Sequence, residues 1–214
     1  MHRLLRADAV RNRQLILDAA RALFAEKGIG VTLDDVAHRA GVGVGTVYRR
    51  FANKELLIDA AFRQDFVDMV AATDAALSNP DPWTGLADFM KFSCRRMSTN
   101  RGLKDVLSGT DEGRELVARQ RSIIEPAVER IFDRARAAGA LRSDLVLTDL
   151  VSLLFMVGAA VEFAQPVNST VWQRYLAVIL NGMRAHESFC DVLQVPPLTS
   201  QELCEARRLH RVRR

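Results

Sequence analysis

Residues Thr32–Lys54 read TLDDVAHRAGVGVGTVYRRFANK, and two short helical patterns meet within them. Thr32 is a favourable N-cap, and Asp34 and Asp35 follow in the first turn, where carboxylates suit the positive end of a helix. The spacing predicts a helix from there through Ala40. Gly41 allows the left-handed backbone of a tight turn, and a further helix is expected from about Val44 to Phe51. Two short helices joined in this way form a helix-turn-helix, whose second helix enters the major groove of DNA.

The helical period assigns faces to these residues. Val36, Ala37, Val42, Val47 and Phe51 suit a small shared core, and Ala37 and Ala40 are small enough for close crossing. With Val47 and Phe51 inward, Gly45 and Arg49 turn outward, flanked by Thr46, Tyr48 and Arg50. Thr46 and Tyr48 can donate to phosphate. Arg49 or Arg50 can reach phosphate or pair bidentately with guanine. Lys54, just past an Asn53 cap, opens the next helix, where backbone N–H groups also attract phosphate. Thr32 offers a second anchor from the other side.

Working outward, apolar residues recur at helical spacing along the whole chain, and the expected fold class is all-α. Leu15, Ile16, Ala19, Ala20, Leu23 and Phe24 form a stripe that Gly28 stops. Asn53 caps a helix continuing through Val70, and Asn79-Pro80-Asp81-Pro82 is the clearest break. Helices are then expected over about Trp83–Thr99, Leu103–Leu107 and Asp111–Ala138. Pro126 predicts a kink or interruption in the last of these, and Gly139 ends it. Two strongly apolar helices follow, near Asp144–Phe163 and Ser169–Phe189. The apolar run Leu150–Val161 is shorter than the ~18–20 residues that span a bilayer, and a helix buried on nearly every side is expected there.

Composition sets bounds on function. The net charge is only +4, with 49% apolar and 26% charged residues, which by itself demands no nucleic-acid partner. The positive excess lies in the N-terminal quarter, at Arg3, Arg6, Arg11, Arg13, Arg21, Lys27, Arg39, Arg49, Arg50 and Lys54. Three cysteines, Cys94, Cys190 and Cys204, show no ladder of spacings and read as reduced thiols. The N-terminus is basic without a continuous apolar stretch, so no secretory signal and a cytoplasmic location are expected.

Other chemistries find little support. Gly41-Val42-Gly43-Val44-Gly45 lacks the preceding strand and the Lys-Ser/Thr of a phosphate loop. His2, His38, His186 and His210 are dispersed, so neither a metal site nor a cofactor is expected. No nucleophile–base pattern or paired carboxylates stand out, and no catalytic residue or enzyme activity is expected.

From about Arg13 to Phe62 the chain closely resembles the DNA-binding domain of the TetR family of transcriptional regulators. The resemblance is carried by Phe-Ala-Glu-Lys-Gly, Thr-Leu-Asp-Asp-Val-Ala, Gly-Thr-Val-Tyr-Arg-Arg-Phe and Asn-Lys-Glu-Leu-Leu. It implies DNA contacts from Thr32, Gly43, Val44, Gly45, Thr46, Tyr48, Arg49, Arg50 and Lys54. Gly43 stands where serine is common in the family and Arg50 where histidine is common, so the operator sequence does not transfer by analogy.

A reader this small usually works as a symmetric pair, since two half-sites multiply affinity. The last two apolar helices carry more apolar surface than one packing stripe needs. They predict a homodimer interface of Leu147, Leu150, Val151, Leu154, Val157, Gly158 and Val161 with Val171, Trp172, Tyr175, Val178, Ile179 and Met183. Dimerisation of TetR-like proteins through these helices agrees with that placement. The resemblance also implies a ligand pocket in the middle helices. Phe89, Met90, Phe92, Cys94, Met97, Leu103, Leu107, Ile123 and Ile124 are its candidates, because aromatic and methionine side chains adapt to irregular shapes.

The expected organisation is a three-helix helix-turn-helix domain (8–55), a helical ligand-binding and dimerisation domain (56–190) and a C-terminal segment (191–214) read as a solvated tail. The expected function is a homodimeric repressor on double-stranded DNA, released from a palindromic operator by a small-molecule effector, with no membrane partner. The alternatives are an activator or a ligand-independent regulator. An enzyme with an incidental DNA-binding module, or a helical scaffold, would need a polar cluster or a dispensable Tyr48 and Arg49.

Overall fold

The computed structural model describes residues 2–108, 114–164, 167–185 and 193–212, and among these the chain is helical with one isolated antiparallel bridge, Leu141 to Arg184. Among the described residues ten helices follow in order: α1 (His2–Lys27), α2 (Leu33–Ala40), α3 (Val44–Arg50), α4 (Lys54–Ser78), α5 (Pro82–Thr99), α6 (Arg101–Ser108), α7 (Arg114–Ala137), α8 (Leu147–Ala164), α9 (Trp172–Met183) and α10 (Ser200–Val212). Their contacts form two compact units. The first holds residues 1–67 and 99–120, and the second 68–98 and 121–214.

In the first unit the stripe expected on α1 is the core. Ile16, Leu17, Ala20, Leu23 and Phe24 are buried, and Phe24 stacks on Phe62 of α4 with ring centroids 5.6 Å apart. Gly28 ends α1 with φ 80, and Gly41 ends α2 with φ 65, both in the left-handed region that favours glycine. α6 joins this unit by packing on α1. A Cβ on Gly102 would stand 2.8 Å from the Phe24 Cβ, 2.9 Å from the Phe24 carbonyl oxygen and 2.9 Å from the Phe62 Cζ. Only hydrogen fits there.

The second unit is built around Met69, Leu86, Phe89, Met90, Ile131, Phe132, Ala135, Leu150, Val157, Leu176 and Leu180. The Asn79-Pro80-Asp81-Pro82 break works as a double cap. Asp81 accepts from the Trp83 and Thr84 amides, and Pro82 opens α5 where no N–H is needed. From α7, Arg134 donates to the carbonyls of Ala76 in the last turn of α4 and of Asn79 and Pro80 just beyond it. Gly85 sits so close to the Ala76 carbonyl that a Cβ would strike it.

Three expectations are corrected here. Of the kink or interruption expected at Pro126, the interruption is absent: α7 runs on through it. α9 stops at Met183 instead of reaching Phe189. Its successor Arg184 turns extended, and its N–H bonds back to Leu180 while its guanidinium lies 5.4 Å from the Trp83 ring centroid. Backbone bonds from Arg142 to Met183 and from Ala185 to Ala140 pin this exit in place. His186, Phe189 and Cys190 lie outside the described residues. Finally, α8 is buried along one side only, with Met156 61% and Phe163 89% exposed. α8 has the length and apolar composition of a bilayer span, yet Leu150, Val157, Val161 and Ala164 are buried within its own chain.

The terminal segment carries α10, begun by Thr199 and Glu202 in reciprocal hydrogen bonds and packed in part on α8. Gly102→Ala should cost about 1–3 kcal/mol of stability, read by urea denaturation, because neither Phe24 nor its backbone can yield without disturbing the α1 core.

Candidate nucleic-acid interface

The site begins with the entry to α2. Thr32 accepts from the Asp35 amide at 3.1 Å, while its own amide and hydroxyl donate to the Asp35 carboxylate at 2.8 and 2.7 Å. This capping box satisfies two helix-end donors reciprocally. The amide and hydroxyl of Thr32 together hold the Asp35 carboxyl below its usual range. Both Thr32 donors are therefore engaged within the protein, so toward a phosphate Thr32 contributes chiefly the position of the α2 amides.

At the turn, the Gly41 N–H donates to the His38 carbonyl and the Val42 N–H to the Ala37 carbonyl. These bonds close α2 and aim α3. Gly43 is the N-cap of α3, with φ −66 and no side-chain cap. Space around it is ample: a Cβ there would meet only the Thr46 Oγ1, at 3.9 Å.

The faces of α3 follow from burial. Val47 is wholly buried and Phe51 nearly so, whereas Gly43, Val44, Gly45, Tyr48, Arg49 and Arg50 are exposed and Thr46 is half-buried. Arg49 donates to the Thr46 hydroxyl at 3.2 Å, which lays its guanidinium along the outer surface. Half-buried Lys54 starts α4, and Asn53 caps that helix by accepting from the Leu56 amide at 2.9 Å. A short helix with small, aromatic and cationic groups outward, flanked by two helix N-termini, can enter a groove and grip phosphates on either side.

Several supports of this surface were not foreseen from sequence. Glu26 and Arg39 form a two-bond ion pair at 2.9 and 3.2 Å joining α1 to α2. Its guanidinium holds the Glu26 carboxyl below the ordinary range. Arg21 donates to the Ala61 carbonyl, tying α1 to α4. Asp105 of α6 accepts from the Ile29 amide at 3.2 Å, in the corner between α1 and α2. A Cβ on Gly28 would collide with that carboxylate. No local pattern reveals a partner 76 residues away.

The candidate pocket residues divide. Phe89, Met90 and Cys94 are buried in the second unit, Phe92, Met97 and Ile124 are half-buried, and Ile123 is 56% exposed. Leu103 is buried in the first unit, and the Leu107 side chain lies outside the described residues. Burial pushes the Cys94 thiol up to about 12, so it stays protonated and unreactive. Among the described residues, no three His, Cys, Asp or Glu side chains group as a metal site.

The residues expected at a subunit interface also divide. Leu150, Val157, Gly158, Val161, Trp172 and Met183 are buried within their own chain, and Leu147, Val151, Leu154, Val171 and Ile179 are half-buried. Tyr175 and Val178 are exposed, and with Ile179 they line an open apolar groove completed by Met156, Val157, Ala159, Ala160 and Phe163. The exposed members on α8 lie roughly 120° round the helix from its buried row, a rotation that counting apolar residues does not resolve.

This geometry defines a helix-turn-helix DNA-binding protein, and comparison with known proteins identifies its kind. Residues 16–61 match the family described as bacterial regulatory proteins, tetR family, and residues 81–185 match the C-terminal domain of SbtR-like transcriptional regulators. A crystallised TetR transcription regulatory protein from Mycobacterium vanbaalenii is 32% identical, with 85% of this chain and 99% of that chain covered and a TM-score of 0.53. The transcriptional repressor KstR2 of Mycobacterium tuberculosis is 28% identical over 185 residues, 78% of this chain and 90% of that protein. FadR of Bacillus subtilis, solved in complex with stearoyl-CoA, shares the fold at 17% identity, TM-score 0.60, over 79% of this chain and 98% of that chain. The chain belongs to the TetR family. It is a DNA-binding transcriptional regulator and not an enzyme.

Because Gly43 already has an ordinary φ and room for a side chain, Gly43→Ser should stabilise the protein by a few tenths of a kcal/mol through a new N-cap, read as a raised Tm.

Proposed function

We propose that the chain is a cytoplasmic, homodimeric repressor whose two α3 helices enter successive major grooves of a palindromic operator, and which leaves DNA when a small molecule occupies the second unit. The observation that carries the reading is the outward row of Gly45, Tyr48 and Arg49 on α3, set by the burial of Val47 and Phe51. In this reading residues 8–55 read DNA, with Thr32 and Lys54 marking phosphate positions and Gly43, Val44, Thr46 and Arg50 completing the contact surface. Residues 56–190 serve regulation and pairing, and 191–214 form a C-terminal appendage.

The exposed groove supports pairing. Met156, Phe163, Tyr175 and Val178 present apolar surface to solvent, and a second copy related by a two-fold axis would cover it with the same surface. The four helices would then form a bundle across the axis. The buried apolar side chains Phe89, Met90 and Cys94 and the half-buried Phe92, Met97 and Ile124 suit an apolar effector. The stearoyl-CoA bound by FadR and the repressor role named for KstR2 support that reading. Release requires the effector to favour an arrangement that fits DNA poorly.

Selection of duplexes from a random library, followed by anisotropy titration, tests the first part. A palindromic motif should emerge, and enrichment of no duplex above nonspecific binding would overturn the reading. Arg49→Ala or Arg50→Ala should cost about 1–3 kcal/mol where a base is contacted, while Lys54→Ala should weaken all sequences nearly equally. A reporter behind the selected site should be silenced by the protein, and activation instead would reverse the sign assigned here.

Pairing is tested separately by sedimentation. Phe163→Asp and Val178→Asp should each convert a dimer to a monomer without lowering helix content, because both side chains are exposed in the single chain. A wild-type monomer would remove the two-fold model.

A further inference from the structure

Residues 28–32, GIGVT, join α1 to α2, and α2 in turn carries α3. Gly28 is left-handed, and a Cβ on Gly30 would meet nothing within 4 Å. Glycine restricts a backbone least, so the chemistry of the join leaves the direction of α2 loosely set. The capping box at Thr32 closes on Asp35 of α2 and therefore moves with that helix.

A carboxylate from another helix of the same unit restrains the join. Asp105 of α6 accepts from the Ile29 amide at 3.2 Å, and a Cβ on Gly28 would strike the same oxygen. Gly28 and Ile29 are buried, and the Gly28 N–H already donates to the Phe24 carbonyl at 2.9 Å. A buried amide needs an acceptor, and Asp105 supplies the one for Ile29. The carboxylate is itself held firmly. Leu103 and Val106 beside it are buried, and Gly102 brings α6 against Phe24 and Phe62.

The sign of the charge is informative. An acid in a unit that binds a polyanion opposes the attraction, so Asp105 serves there as an acceptor rather than as a charge. α2 and α3 move as one piece, because the Gly41 and Val42 amides close the turn between them. α2 is roughly 12 Å long, so a tilt of about 5° at the join displaces its far end by about 1 Å. That is enough to break a hydrogen bond to a base edge, which tolerates only a narrow range of distance.

We propose that Asp105 is a positioning residue for DNA reading: by holding the Ile29 amide it fixes the direction in which α2 carries α3, and it raises sequence discrimination without touching DNA. The inference rests on the operator reading by α3 proposed above.

The test measures the ratio of affinities for a duplex enriched by the wild type and for a scrambled one, well below every Tm. Asp105→Ala should lower that ratio about tenfold, the scale of one lost hydrogen bond. Nonspecific affinity and its salt slope should stay unchanged, because no phosphate contact is lost. Asp105→Asn keeps a carbonyl oxygen for the Ile29 amide and should stay within about twofold of the wild type. Gly28→Ala gives a second approach, because its Cβ would displace the carboxylate while Asp105 remains. It should lower the ratio in the wild-type background and much less in the Asp105→Ala background. The strain of alanine at a positive φ is common to both backgrounds and cancels in the cycle.

Tighter DNA binding by both Asp105 variants would mark the residue as a charge and overturn the proposal. A lower Tm with an unchanged ratio in Asp105→Ala would make it structural only, which overturns the proposal equally, as would strictly additive effects in the cycle. Should Asp105→Ala not fold, a wild-type ratio in Gly28→Ala has the same force. If the wild type enriches no duplex, the operator reading fails first and takes this inference with it. If the wild type enriches one and the variants match it, the role of Asp105 alone is wrong.

Discussion

Val47 has no solvent exposure, and its burial sets the rotation of α3 about its own axis. With Val36 and Ala37 of α2 also buried, a turn of α3 in either direction would expose Val47 or drive Tyr48 or Arg49 toward an apolar interior. The outward row exists because the inward one cannot move. Gly41 is part of the same constraint, since its left-handed backbone lets α2 end and α3 begin at the crossing angle that this core needs. The outward surface of α3 is thus a consequence of how two short helices hide a few small apolar side chains.

What holds that pair in place is largely remote. Arg21 reaches the Ala61 carbonyl, Glu26 grips Arg39, and Asp105 accepts from the Ile29 amide. Each satisfies a group near a helix end or ties one helix to another, and each spans an interval no periodicity encodes. Gly28 and Gly102 are matched to this arrangement. One makes room for the Asp105 carboxylate, the other for the Phe24 backbone and the Phe62 ring. The second unit uses the same device: Arg134 caps α4, and Arg142 clamps Asp144, whose carboxyl also accepts from the Leu193 amide. Those partners hold the Asp144 carboxyl at about 2.

α8 shows where pattern reading loses resolution. Its run of apolar residues reads as a helix surrounded by protein, because an all-round apolar helix has no polar face to mark the outside. Packing instead buries Leu150, Val157 and Val161 and leaves Met156 and Phe163 in solvent. Tyr175 and Val178 on α9 share that exposed groove, while Trp172 and Met183 turn inward. The residues expected at a subunit interface fall on both the buried and the exposed sides of these two helices. At Pro126, where a kink or an interruption is expected, α7 continues without interruption.

By itself the sequence determined the helical class, the caps and stops at Thr32, Gly28, Gly41, Asn53 and Gly139, the break at 79–82, and which residues of α3 turn inward. These follow from local chemistry: a hydroxyl or carboxylate that satisfies an orphan amide, a glycine free to be left-handed, a period that sorts apolar from polar. Tertiary structure alone decided that α6 belongs with the first unit, that α9 ends at Met183, that Leu103 and Phe89 lie in different cores, and which side of α8 stays bare. Those outcomes depend on side chains far apart in the chain competing for the same apolar interior and the same hydrogen-bond donors, and such a competition is settled only when the chain is folded.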